Sequence, residues 1–67
     1  MGITASFNQG PLITSGTVFV TADSTPRALE LALNYLERYA EKTDKIACIE
    51  TYTASLVDNG RYQIDFA

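Results

Sequence analysis

Sixty-seven residues, one cysteine, no histidine and a formal net charge of -3 exclude a good deal at the outset. A chain of this length buries only about 60% of the surface its unfolded form exposes. A single cysteine closes no internal disulfide, and the lack of histidine removes the ordinary zinc sets. With 46% hydrophobic and 19% charged residues the chain has the composition of one that folds, so residues 1–67 read as a single domain held by packing. A second copy or a partner would be a natural addition to so thin a core.

The charge pattern argues against a nucleic-acid binder, because neutralising phosphates takes clustered Lys and Arg. The cations are Arg27, Arg38, Lys42, Lys45 and Arg61, and Glu30, Glu37, Glu41 and Asp44 are interleaved with the middle three, so no basic stripe is expected. No apolar run approaches the roughly 18 residues of a membrane span. No charged segment precedes an apolar one as in a secretion signal, and a cytoplasmic protein without membrane contact is expected. Met1-Gly2-Ile3-Thr4-Ala5-Ser6 fits the Met-Gly-x-x-x-Ser/Thr rule for N-myristoylation. So short a pattern arises readily by chance, and one acyl chain without a polybasic patch anchors only marginally, so the match is discounted and leaves the state of Gly2 open.

Residues 3–7 alternate Ile3, Ala5 and Phe7 against Thr4 and Ser6, the period of a half-buried strand. Asn8-Gln9-Gly10-Pro11 breaks it. Leu12, Ile13 and Thr14 can pair locally, Ser15-Gly16 is a second turn signal, and residues 17–21 are β-branched and aromatic enough for another strand. Ser24 or Thr25 can cap a helix whose first turn accepts Pro26. That helix should run to Lys42, with Ala28, Leu29, Leu31, Ala32, Leu33, Tyr35, Leu36, Tyr39 and Ala40 on one side. The apolar arc spans roughly 200°, wider than the 100° or so that covers one sheet, so part of it should meet something else.

Residues 46–66 read as a hairpin around Asp58-Asn59-Gly60. A two-residue turn at Asn59-Gly60 would force Ser55 and Thr53 onto the side of Ile64 and Phe66 and bury hydroxyls. A three-residue loop closed by Gly60 in a left-handed bulge instead puts Leu56 with Tyr62, Ala54 with Ile64 and Tyr52 with Phe66. The other face then carries Thr51, Thr53, Ser55, Val57, Arg61, Gln63 and Asp65. The second register is expected. The fold class is therefore α+β, a two-layer ββαββ domain with one amphipathic helix on a mostly antiparallel four-stranded sheet, the helix linking two parallel strands.

Two residues in the inward row Ile46, Cys48, Glu50, Tyr52, Ala54, Leu56 invite chemistry. A carboxylate in an apolar row, near Tyr35 or Tyr39, could serve as an acid or base. No second carboxylate, nucleophile or oxyanion loop accompanies Glu50, so its simpler place is the sheet rim, reaching water. Cys48 alternates with Ile46, and burial as a small hydrophobe is expected. Gly10, Gly16 and Gly60 form no phosphate-binding motif and read as turn residues. Phe19, if it points away from the helix, would be a single aromatic platform without basic neighbours, a weak site for base stacking.

No catalytic, metal or cofactor set emerges, and surfaces are left as the functional elements. Thr51, Thr53, Ser55 and Val57 form an uncharged, β-prone row on a strand expected to be about 10 to 12 residues long, nearly 40 Å at 3.3 Å each. Without Lys or Pro to protect it, such a strand can accept another. The expectation is a non-enzymatic protein-interaction domain that binds a protein partner through Thr51, Thr53, Ser55, Val57 and Phe19 and forms a homo-dimer or higher oligomer. Its size and acidity suit a phage-type inhibitor that blocks a surface of a host protein complex. The rival reading is a structural subunit or ligand-binding module of a larger homo-oligomeric assembly.

Overall fold

In a computed structural model, which describes residues 2–67, the chain runs β1 (Thr4–Phe7), β2 (Leu12–Ile13), β3 (Gly16–Thr21), α1 (Thr25–Lys42), β4 (Ile46–Ala47), β5 (Tyr52–Asp58), β6 (Arg61–Phe66). Met1, the first residue of the myristoylation pattern, lies outside the described residues. Four strands form an antiparallel sheet in the order β1-β3-β6-β5, and β2 and β4 form a separate parallel pair. The fold is α+β, with the single helix packed on the four-stranded sheet. Because β3 and β5 are each antiparallel to β6, they run in the same direction with β6 between them.

The ends of α1 follow from local chemistry. Ser24 is the N-cap: its hydroxyl accepts from the Arg27 amide at 3.3 Å and its carbonyl accepts from the Ala28 amide at 3.0 Å, with Pro26 in the first turn. No glycine marks the exit. Asp44 instead takes the left-handed conformation at φ 57, which lets the Lys45 amide reach the Ala40 carbonyl at 2.7 Å and the Asp44 amide reach that of Glu41 at 3.3 Å. This is the double hydrogen bond of a Schellman ending, made without the residue that usually makes it.

Ala28, Ala32, Leu36 and Ala40 recur at every fourth position and are the buried stripe of the helix. Three of the four are alanines, so the helix axis can come close to the sheet. They meet Val18 and Val20 of β3 and Tyr62, Ile64 and Phe66 of β6, with Ile13 closing one end of the core. Each such Val, Ile, Leu or Phe contributes about 1.5–3 kcal/mol on burial. No polar or charged residue is buried among the described residues.

The second hairpin has the expected register, with Tyr52 opposite Phe66, Ala54 opposite Ile64 and Leu56 opposite Tyr62. Gly60 adopts φ 74, a conformation a side chain would strain. The pairing closes one step tighter than the three-residue loop: Asp58 pairs with Arg61 across an irregularity at Val57.

The first half of the expected long strand is different. The chain leaves the sheet before Tyr52, and Ile46 and Ala47 pair in parallel with Leu12 and Ile13. Leu12 and Ile13 thus find a partner far along the chain and not a local one. The alternation of Ile46, Cys48 and Glu50 mimics a continuation of β5, but these side chains are exposed. Cys48 is a free, exposed cysteine whose amide donates to the Ile13 carbonyl at 2.8 Å, so its expected burial does not occur.

Between β1 and β3, Asn8 organises the loop. Its Oδ1 accepts from the amides of Thr14 at 2.8 Å and Ser15 at 3.1 Å, and its Nδ2 donates to the carbonyls of Gln9 and Leu12, each at 2.9 Å. Both donors and both lone-pair sites of the carboxamide are used. Gly16 follows, and a Cβ there would stand 2.2 Å from Phe7 Cδ1, so the ring of Phe7 lies where any other residue would put its side chain.

Candidate functional site

A helix is about 10–12 Å across and strands are about 4.8 Å apart, so one helix covers about two strands of a four-stranded sheet. Here the two are the central ones, β3 and β6. On the β1 side, the long flanking side chains Leu31, Tyr35 and Tyr39 extend the cover, and Ile3, Ala5 and Phe7 are half-buried. On the β5 side the flank offers Leu29, Leu33 and the short Ala40.

The consequence is visible across single rows of the sheet. Phe66 and Tyr62 on β6 are 3% and 9% exposed, while their partners Tyr52 and Leu56 on β5 are 53% and 63% exposed. These are apolar side chains on the helix side of the sheet that the helix does not reach. Leu33, also exposed, stands on the flank of α1 that faces the same way. The expected burial of Tyr52 and Leu56 in the inward row is therefore corrected: they face inward in register but remain open to solvent.

The same strand is an edge. β5 has β6 on one side and no strand on the other among the described residues. Thr51, Tyr52, Thr53, Ala54, Ser55, Leu56 and Val57 include no charged residue and no proline, the usual protections of an edge. Only the irregularity at Val57 interrupts it, at its far end.

The residues singled out from the sequence fall on the opposite face. Thr53 and Ser55 are exposed there, opposite Asp65 and Gln63 of β6. Thr51 lies just before β5, its hydroxyl donating to the Ala67 carbonyl at 3.3 Å, and Val57 is exposed at the irregularity. Phe19 is brought near them, since it flanks Gln63 from the β3 side as Ser55 does from β5. Phe19 is half-buried, and it does have a basic neighbour: the Arg61 guanidinium lies 5.7 Å from its ring centroid. Asp65 accepts from Thr17 Oγ1 of β3 at 2.9 Å and from Gln63 Nε2 of its own strand at 3.1 Å, so polar bonds occupy one end of this face.

Glu50 is exposed at the rim, where its amide donates to the Ala67 carbonyl at 3.1 Å. No group of three or more His, Cys, Asp or Glu among the described residues could hold a metal ion. No helix among them is long and apolar enough to cross a membrane. Sequence reasoning missed Tyr52, Leu56 and Leu33 as surface residues. The signal was present in the wide apolar arc of the helix and in the number of strands a single helix can cover. Compared with protein-family models, curated proteins and solved structures, the chain matches none.

Proposed function

We propose that this protein is a non-enzymatic interaction domain that docks a protein partner along the free edge of β5. The observation that carries the reading is the exposure of Tyr52 and Leu56 beside a strand edge that is unpaired among the described residues and uncharged up to Asp58. A partner strand added there would satisfy the outward amides and carbonyls of β5, and its side chains would cover Tyr52 and Leu56 and meet Leu33. Covering one such leucine is worth about 1.5–3 kcal/mol, and backbone pairing adds orientation. Thr53, Ser55 and Val57 would line the other side of the same added strand, with Phe19 and Thr51 at its margins.

A chain of 67 residues with net charge -3 and one adhesive edge suits an inhibitor that occupies a surface of another complex, as phage-encoded antagonists of host proteins do. The exposed free thiol of Cys48 suits a reducing compartment such as the cytoplasm. The test is quantitative capture from lysate with wild type and with Leu56→Glu. Loss of a specific protein with Leu56→Glu, in a variant that keeps its circular dichroism spectrum, supports the reading; an unchanged set of captured proteins overturns it.

A second reading, the subunit of a homo-oligomeric assembly, draws on Leu12 and Ile46, which are exposed on the separate β2-β4 pair. Light scattering and circular dichroism across a hundredfold dilution separate the two. An interaction domain stays folded at a constant mass of one or two chains, while an obligate subunit dissociates and loses structure together.

A further inference from the structure

The cations of α1 are interleaved with acids in the sequence but not in space. At roughly 100° per residue, Glu30, Glu37 and Glu41 fall within about 40° of one another on the outer side of the helix. Arg38 and Lys42 fall with Leu31 and Tyr35, on the flank toward β1, where Leu31, Tyr35 and Arg38 line a shared crevice with Ile3. Two cations thus share a flank with no acid between them, although they make no continuous basic stripe.

The cluster surrounds aromatic rings. Phe7 packs on Tyr39 with centroids 4.7 Å apart and stacks on Tyr35 at 6.4 Å. Lys45 Nζ lies 5.7 Å from the Tyr39 ring centroid. Tyr35, Arg38, Tyr39, Lys42 and Thr43 line a depression of about 480 Å³, within the roughly 300–1,000 Å³ of small-ligand sites. No acidic residue lines it. The salt bridge among the described residues joins Arg27 to Glu30, leaving Arg38, Lys42 and Lys45 without an ion partner.

The negative end of the helix would oppose an anion here, but its carbonyls are largely engaged. The Tyr39 carbonyl accepts from the Thr43 amide at 3.0 Å and hydroxyl at 2.6 Å, and those of Ala40 and Glu41 accept from Lys45 and Asp44. What faces the depression is therefore a set of donors and flat apolar surface. A guanidinium and an ammonium match phosphate oxygens, and tyrosine rings accept a planar ring by stacking.

We propose that this depression binds a small molecule joining a phosphate to a planar ring, the chemistry of a mononucleotide, with Arg38 and Lys42 on the phosphate and Tyr35, which Phe7 contacts less closely than it does Tyr39, against the ring. The site lies across the helix from β5, so it does not depend on the docking edge. The test is a titration of the ¹⁵N-labelled chain, followed by NMR, with adenosine and uridine monophosphates, and separately with the two nucleosides and inorganic phosphate. Saturable shifts of the amides of residues 35–43 by at least one nucleotide are expected. Phosphate alone and the nucleosides should bind at least tenfold more weakly, and Arg38→Gln/Lys42→Gln, at exposed positions that leave the fold intact, should weaken nucleotide binding at least tenfold. The proposal is overturned by the absence of saturable shifts with both nucleotides at millimolar concentration, by inorganic phosphate binding as tightly as either, or by an unchanged affinity in the double variant. Leu56→Glu should leave this binding unchanged.

Discussion

Tyr52 and Phe66 stand opposite each other in the sheet with their side chains on the same face, yet Tyr52 is 53% exposed and Phe66 3%. One strand spacing separates the covered from the uncovered. The register that makes the hairpin correct also brings an apolar row past the reach of the helix, and the protein keeps that row on an unprotected edge.

Opposite outcomes are expected for paired substitutions along these rows. Leu56→Glu and Tyr52→Glu change exposed positions and should move stability by no more than about 0.5 kcal/mol, while abolishing partner capture. Tyr62→Ala and Phe66→Ala, in the same rows on β6, should cost about 3–5 kcal/mol. For a domain whose core supplies about 3–5 kcal/mol in all, that is enough to unfold it. Urea denaturation followed by circular dichroism checks both.

Thr53→Lys probes the edge itself. A lysine on an edge strand opposes the addition of another, so the variant should fold as wild type and lose association. Retained association with Thr53→Lys together with loss in Leu56→Glu would place the partner on the helix side of β5 without strand pairing.

The parts of this fold that were legible in the sequence are those set by local chemistry. Ser24 and Pro26 start the helix where their capping and fixed φ require, and the hydroxyls of Thr53 and Ser55 decide the hairpin register against burial. What was illegible depends on distant partners or on size. Ile46, Cys48 and Glu50 alternate as a strand would, and nothing local says that Ile46 pairs with Leu12 instead of extending β5. The exposure of Tyr52 and Leu56 follows from the width of one helix against four strands, a quantity that alternation alone does not carry. The separation of Arg38 and Lys42 from the glutamates, by contrast, follows from the helical period and was legible.

The helix exit offers a stabilising substitution. Asp44 holds φ 57 with a side chain that disfavours it, and glycine would relieve this while keeping both hydrogen bonds of the ending. Asp44→Gly should raise stability by about 0.5–1 kcal/mol, net of the added freedom of the unfolded chain. At about 4–8 °C per kcal/mol for a domain of this size, thermal unfolding should resolve it.

Gly16 and Asn8 hold the connection between β1 and β3. Gly16→Ala drives a methyl into the Phe7 ring, so it should cost about 1–3 kcal/mol and alter the near-ultraviolet circular dichroism of Tyr35 and Tyr39, on which Phe7 packs. Asn8→Ala removes four hydrogen bonds from an exposed loop and should cost about 1–2 kcal/mol, with faster amide exchange at Thr14 and Ser15 before any global effect.

Hydrogen-deuterium exchange of residues 51–57, in the free protein and in complex with the partner captured by wild type but not by Leu56→Glu, addresses the docking edge most directly. The outward amides of β5 should exchange readily in the free chain and become protected in the complex. Protection confined to β1 or to the outer face around Phe19, with β5 exchanging as before, would contradict it.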